Sequence, residues 1–245
     1  MASIDPAKFD WVCLTFDVDW ANDEILQYVA AGVTAAGLTA TFFATHDSPF
    51  LKDLTNDQFE IGLHPNFNRQ DDIRSPLTEL LELYPEARGT RSHLLAQSPP
   101  ILEMICNLGL VYESNMHLPF HSGLHPVVRI TDLVSIPFCW ADDTHFRVYP
   151  DRPISDIPFQ LPGLKVLAFH PIHVFMNTSS VEHYESYKQH YHDTETLRQH
   201  KNTAGRGVET MTTEILTCIR EQQIRTTTLA DVHDLYTNLT RPDVD

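Results

Sequence analysis

Asp17 and Asp19 stand one residue apart in FDVDW, directly after an apolar run. Two carboxylates at a strand end can serve as a metal ligand and a general base, and the residues alone leave open which does which. His64 opens HPNFN, with Asn68 four positions on. On one turn of helix these two would share a face, the spacing that metal sites use. An Asn carbonyl oxygen can occupy a position on a harder metal, although His, Cys, Asp and Glu are better zinc ligands. Arg91 and His93 lie in TRSHL, where the guanidinium can orient a carboxylate through a bidentate pair. His170 and His173 lie in LAFHPIH, and Pro171 stops the strand just as the His170 imidazole emerges. An imidazole titrates close to working pH, which suits a general acid. Each residue also has a plainer reading: a loop capping the next helix, a backbone-satisfied histidine, a surface salt bridge, or one of fourteen histidines placed at random. The chain carries no GxSxG, P-loop or GxGxxG pattern, so acyl-enzyme chemistry and nucleotide binding have no support. Metal-assisted hydrolysis remains.

These side chains need elements that deliver them to one place. Residues 11–16 (WVCLTF) read as a buried strand, and Asn22 caps a helix that ends at Gly37. Residues 39–45 (TATFFAT) form a second strand, so the opening segment is a parallel crossover unit. Residues 59–63 (FEIGL) make a strand ending at His64, and residues 164–169 (LKVLAF) one ending at His170. Helices are expected over 77–84, 100–108 and 208–221, with a last one from about Thr228. Shorter strand candidates lie at 89–92, 111–114 and 134–138. Strands alternating with helices imply a parallel sheet covered by helices, here a distorted (β/α) barrel of about seven parallel strands. In such folds ligands bind at the carboxyl ends of the strands. Asp17 and Asp19, His64 and His170 all follow strands.

Residues 177–207 turn polar and read as a surface insertion with the character of a lid. Their histidines at 183, 190, 192 and 200 are expected on a solvated face. With no repeats and no linker, residues 1–245 read as a single domain. The 33 acidic against 17 basic residues give a net charge of -16, which would repel a phosphate backbone and excludes nucleic acid as an expected partner. The four cysteines form no CxxC pair and are expected to be reduced. No apolar stretch has the length of a membrane span, and the first residues lack a signal-peptide pattern, so a cytoplasmic location is expected.

Taken in order, these segments resemble the polysaccharide deacetylase family (carbohydrate esterase family 4, the NodB-homology domain). LTFDVDW at 14–20 is similar to the family's TFDDG motif, and HPNFN at 64–68 to its HSxxH motif. TRSH at 90–93 resembles the arginine motif, IPFCWADD at 136–143 the tryptophan motif, and VLAFHP at 166–171 the leucine–histidine motif. The resemblance covers roughly the first 180 residues and implies the family's distorted barrel. It also implies Asp17 as general base, Asp19 and His64 as ligands of a divalent metal (zinc first), Arg91 as the group tuning Asp17, and His170 as catalytic acid. The third ligand is Asn68, where the family has histidine, or His93. The implied reaction removes an N-acetyl group from an amino sugar in polysaccharide biosynthesis or modification. A C–N hydrolase acting on a small amide and a non-catalytic carbohydrate-binding relative are the alternatives. Oligomeric state is left open.

Overall fold

In β1 (Val12–Asp17) all six side chains are buried, which fits a strand covered on both faces. This computed structural model describes residues 4–54, 57–68 and 72–240, so both ends of the expected 1–245 domain lie outside the described residues. Helix α1 (Asp23–Ala36) starts where the Asn22 side chain accepts from the Ile25 amide, and stops at Gly37 in the left-handed region (φ 69°). Its apolar stripe, Ile25, Leu26, Val29, Ala30 and Val33, is buried. The chain continues through β2 (Ala40–Ala44), α2 (Pro49–Asp53), β3 (Phe59–Leu63), α3 (Ser75–Leu83), β4 (Gly89–Thr90) and α4 (Pro99–Asn107). Four short strands follow: β5 (Tyr112–Glu113), β6 (Val127–Val128), β7 (Val134–Ser135) and β8 (Trp140–Ala141). Then come α5 (Asp142–Val148), β9 (Lys165–Phe169), α6 (Pro171–Met176), α7 (Val181–Tyr187), α8 (Thr194–Gln199), α9 (Val208–Glu221) and α10 (Leu229–Thr240).

The strands form one sheet in the order β6-β7-β5-β4-β3-β2-β1-β9-β8. Every pairing is parallel except β6 with β7. The sheet curls into a half-barrel with β6 and β8 at its edges. Nine strands therefore replace the expected seven. The additional ones, β6 and β8, are two residues long and too short to leave an apolar run in the sequence.

Register aligns the site. Asp17 pairs with Phe43 across to β2, and Phe16 with Phe169 across to β9. The Phe16 ring stacks between Phe42 at 4.8 Å and Phe169 at 5.3 Å, which locks three neighbouring strands together. At the opposite end of the sheet, half-buried Glu60 accepts from the Tyr112 hydroxyl at 2.6 Å, the Thr41 hydroxyl at 2.8 Å and the Ala230 amide at 3.0 Å. That carboxylate ties the start of α10 to β2, β3 and β5. Gly89 is required in β4, because a Cβ there would lie 2.1 Å from the Tyr112 ring.

Candidate active site

Asp17 ends β1 and Asp19 follows two residues on; both line the same cleft, while Val18 between them is fully buried in the core. Past Val18 the backbone turns through two consecutive left-handed residues, Asp19 (φ 45°) and Trp20 (φ 60°), closed by the Ala21 amide donating to the Val18 carbonyl at 2.9 Å. The Trp20 amide donates to Thr45 Oγ1 at 2.8 Å. This turn sets the Asp19 carboxylate between two imidazoles. His64 Nε2 lies 3.2 Å from Asp19 Oδ1, and His93 Nδ1 lies 3.0 Å from the same oxygen. One ligand atom from each of the three lies within 4.8 Å of the others. The loops after β3 and β4 are tied to each other by the His93 amide donating to the Pro65 carbonyl at 3.0 Å.

Asp19 is partly buried, its side chain 20% exposed. Burial would raise its carboxyl, but hydrogen bonds from His64 and His93, with the charges of His64 and His170, hold it well below the usual carboxylate range. Asp17 has a different environment. Arg91, fully buried, donates through Nη1 to Asp17 Oδ1 at 3.0 Å and to Thr15 Oγ1 at 2.8 Å. Its Nε and Nη2 donate to the Ser114 carbonyl and hydroxyl, both at 2.9 Å. The guanidinium lies 4.7 Å from the ring centroids of both Phe43 and Phe138. The two acids are thus separated by environment: imidazoles surround Asp19, and a guanidinium holds Asp17.

His170 stands on the other side of Asp19, its Nε2 3.7 Å from Asp19 Oδ2. Behind it is Asp142, fully buried at the start of α5. Its Oδ1 meets His170 Nδ1 at 2.6 Å, and its Oδ2 accepts from the His170 amide at 2.8 Å. Burial disfavours a charged imidazole, but the Asp142 carboxylate, with Asp143 and Asp19 farther out, holds His170 well above the usual histidine range. Neighbouring His173, also buried, is driven well below that range by burial and by His170.

The helical turn expected to pair His64 with Asn68 is not formed. Residues 64–66 are irregular and 67–68 make a turn, where the Asn68 amide group donates to the His93 carbonyl at 3.1 Å. Asn68 is not among the residues lining the cleft, whereas His93 is. Sequence reasoning did not single out Asp142. Its signal was the carboxylate pair in WADD, which reads equally well as helix-start acids.

All of this opens on a cleft of about 720 Å³ whose walls include Trp20, Leu94, His117, Arg147, Tyr184 and Tyr191. The segment 177–207 holds α7 and α8, and it reaches the cleft through Tyr184, Lys188, Tyr191 and His192. His183 and His200 instead serve the segment itself: His183 Nε2 meets the His200 carbonyl at 3.0 Å, and the His200 ring stacks on Tyr187. Three buried polar atoms of cleft residues lack a hydrogen-bond partner among the described residues: His64 Nδ1, His117 Nε2 and the Tyr191 hydroxyl. The four cysteines are free thiols. Among the described residues no helix is long and apolar enough to cross a membrane.

A curled sheet of parallel strands with an Asp–His–His cluster at its carboxyl edge, flanked by an Arg-bound acid and an Asp-bound histidine, defines the polysaccharide deacetylase class. Residues 14–188 match the family described as WbmS-like polysaccharide deacetylase. A crystal structure from Bordetella bronchiseptica, named as a polysaccharide deacetylase involved in O-antigen biosynthesis, is 36% identical. That match covers 85% of this chain and 91% of that one, with a TM-score of 0.78. The chain belongs to this family. A polysaccharide deacetylase structure from Mycobacterium smegmatis has the same fold at 15% identity, covering 100% and 97% of the two chains, with a TM-score of 0.57. A pseudoenzyme of carbohydrate esterase family 4 from Bacillus anthracis also shares the fold, at 14% identity over 93% and 66% of the chains and a TM-score of 0.52. No curated protein matches.

Proposed function

We propose that this chain is a metal-dependent hydrolase that removes an N-acetyl group from an amino sugar during the building of a surface polysaccharide. The observation that carries this reading is the division of labour around Asp19. One carboxylate oxygen and two imidazole nitrogens converge there, while a second acid and a third histidine stand beside them with private partners of their own. Membership in the family and the O-antigen role given to the 36% identical Bordetella protein support the substrate class.

The donor set fits a divalent cation. Two histidines and one carboxylate on one side, with a cleft on the other, are the protein share of a catalytic zinc or ferrous site. The triad is Asp19, His64 and His93, so His93 takes the third place and Asn68 braces the His93 backbone. A metal held there supplies Lewis acidity toward an acyl oxygen and toward water.

The chain's own residues perform the proton transfers. Asp17 accepts the proton of the attacking water, and Arg91 keeps its carboxylate oriented through Oδ1 while leaving Oδ2 for that task. His170 carries a proton on Nε2 and delivers it to the departing sugar nitrogen. Asp142 fixes the Nδ1 proton and stabilises the imidazolium before transfer. Acetate and a free amino sugar result. Asp17 and His170 line the same cleft as Asp19, which suits a base and an acid acting on one scissile amide.

Metal titration of the purified protein tests the reading. About one divalent ion per chain is expected, with Asp19→Ala, His64→Ala and His93→Ala each lowering affinity at least about a hundredfold. Asn68→Ala should change it less than about tenfold, since its side-chain amide donates to the His93 carbonyl and not to a ligand atom of the triad. Full metal occupancy in all three triad variants, or no acetate release from any N-acetylated sugar by the metal-loaded wild type, would overturn it.

A further inference from the structure

Among the groups that segment 177–207 brings into the cleft, Tyr191 carries a hydroxyl that the proton transfers leave unused. Tyr191 follows the single turn Lys188–His190, and its amide donates to the Lys188 carbonyl at 3.3 Å. Its side chain lines the cleft together with Asp19, His170 and Tyr184. The Tyr191 hydroxyl is buried and has no hydrogen-bond partner among the described residues. Burial pushes the phenol well above its ordinary range, and Asp19, Tyr184 and Asp142 add to that push. The hydroxyl is therefore a protonated donor within electrostatic reach of both the Asp19 cluster and the His170–Asp142 pair. An unpaired buried hydroxyl works against folding. Phenylalanine would fill the same space without that penalty, so packing does not explain the oxygen. A donor left unmet beside reacting groups is what a site has when it is built to read an oxygen of its substrate.

We propose that Tyr191 is a specificity-determining residue whose hydroxyl donates a hydrogen bond to an oxygen of the bound amino sugar. The inference rests on the deacetylase reading above. Tyr191 lines the same cleft as His170, the group that meets the sugar nitrogen in that reading. The sugar's hydroxyl and ring oxygens supply the acceptor.

Tyr191→Phe tests this in the full-length, metal-loaded protein, on whichever member of a panel of N-acetylated amino sugars and N-acetylglucosamine oligosaccharides the wild type hydrolyses fastest. The expected result is a fall in kcat/KM of about ten- to a hundredfold, carried mainly by KM. Metal content stays unchanged, and Tm stays level or rises because an unpaired buried oxygen has gone. Monodeoxy analogues of the same sugar identify the acceptor. One of them should lose as much with the wild type as Tyr191→Phe loses with the parent sugar, and should lose nothing further with the variant. Parental kcat/KM within twofold, a Tm lowered by several degrees, or fully additive losses for every analogue would each overturn the role of Tyr191. An inactive wild type on the whole panel removes the deacetylase reading and this inference with it. An active wild type matched by an equally active Tyr191→Phe removes only this inference.

Discussion

Replacing Arg91 by methionine keeps an unbranched apolar stem, shortens the side chain, and takes away its charge and its donors. Four hydrogen bonds are lost: to Asp17 Oδ1, Thr15 Oγ1, and the carbonyl and hydroxyl of Ser114. Asp17 is only 5% exposed, and the nearest other cation-forming group, His64 Nδ1, is 3.9 Å away, too far for a hydrogen bond. Removing one partner of a buried ion pair costs about 3–5 kcal/mol, most of it from the charge left behind. The thioether recovers part of the contact with Phe43 and Phe138, worth about 1 kcal/mol. The expected net loss is about 2–4 kcal/mol. It is read as a lower urea midpoint with an unchanged denaturant slope. If the unpaired carboxylate is the cause, Asp17→Leu in the Arg91→Met background should restore about 1–3 kcal/mol of stability while leaving the protein inactive. Metal affinity should stay near wild type in Arg91→Met, because Arg91 touches none of the triad. A loss below about 1 kcal/mol, or a double variant no more stable than Arg91→Met alone, would refute the reasoning.

Two further outcomes follow from the geometry. Asp142→Asn removes the charge that holds His170 above the usual histidine range, so the imidazole should lose its proton at lower pH. The alkaline limb of the activity profile should then move to lower pH by at least about one unit with metal content unchanged, and an unmoved limb would detach Asp142 from the acid role. His117 is pushed by burial down to about 4, so its folded ring stays neutral while the unfolded one, near 6.5, takes up a proton. Because the unfolded state binds more protons in this window, stability should fall as pH drops from about 6.5 to about 4. The loss is about 2 kcal/mol once the partial exposure of the ring is allowed for. His117→Gln should remove that component from urea midpoints measured at pH 7 and pH 4.5, and an identical pH response in both proteins would contradict it.

The parts of the fold legible in the sequence were those with long apolar runs. β1, β2, β3 and β9 are five or six residues each and mostly buried, so their runs and the polar residues at their ends stand out. The two-residue strands β6 and β8 leave no such trace, whereas β4, β5 and β7 lie within the short candidate runs at 89–92, 111–114 and 134–138. Asp142 was hidden for the same reason, since the strand before it is only Trp140–Ala141 and its carboxylate opens a helix. The expected His64–Asn68 pairing relied on a helical period where the chain instead makes a turn. The competing candidate, His93, is brought to Asp19 by the loop after β4, a contact between residues 74 positions apart that no local period encodes. The polarity of segment 177–207 was legible, but the reach of Tyr184 and Tyr191 into the cleft depends on how the segment packs.

The site is also divided along the chain. Asp17, Asp19, His64, Arg91 and His93 all come from β1 through the loop after β4, while Asp142 and His170 arrive with β8 and β9, and Asp19 is the residue that both groups touch. The portion that would grip a cation and activate water could thus drift independently of the portion that expels the product. A substitution that removed Asp142 or His170 would leave the proposed Asp19–His64–His93 cluster with all of its donors, so the proposed cation-binding half and the proposed acid half are separable by changes confined to the second half of the chain.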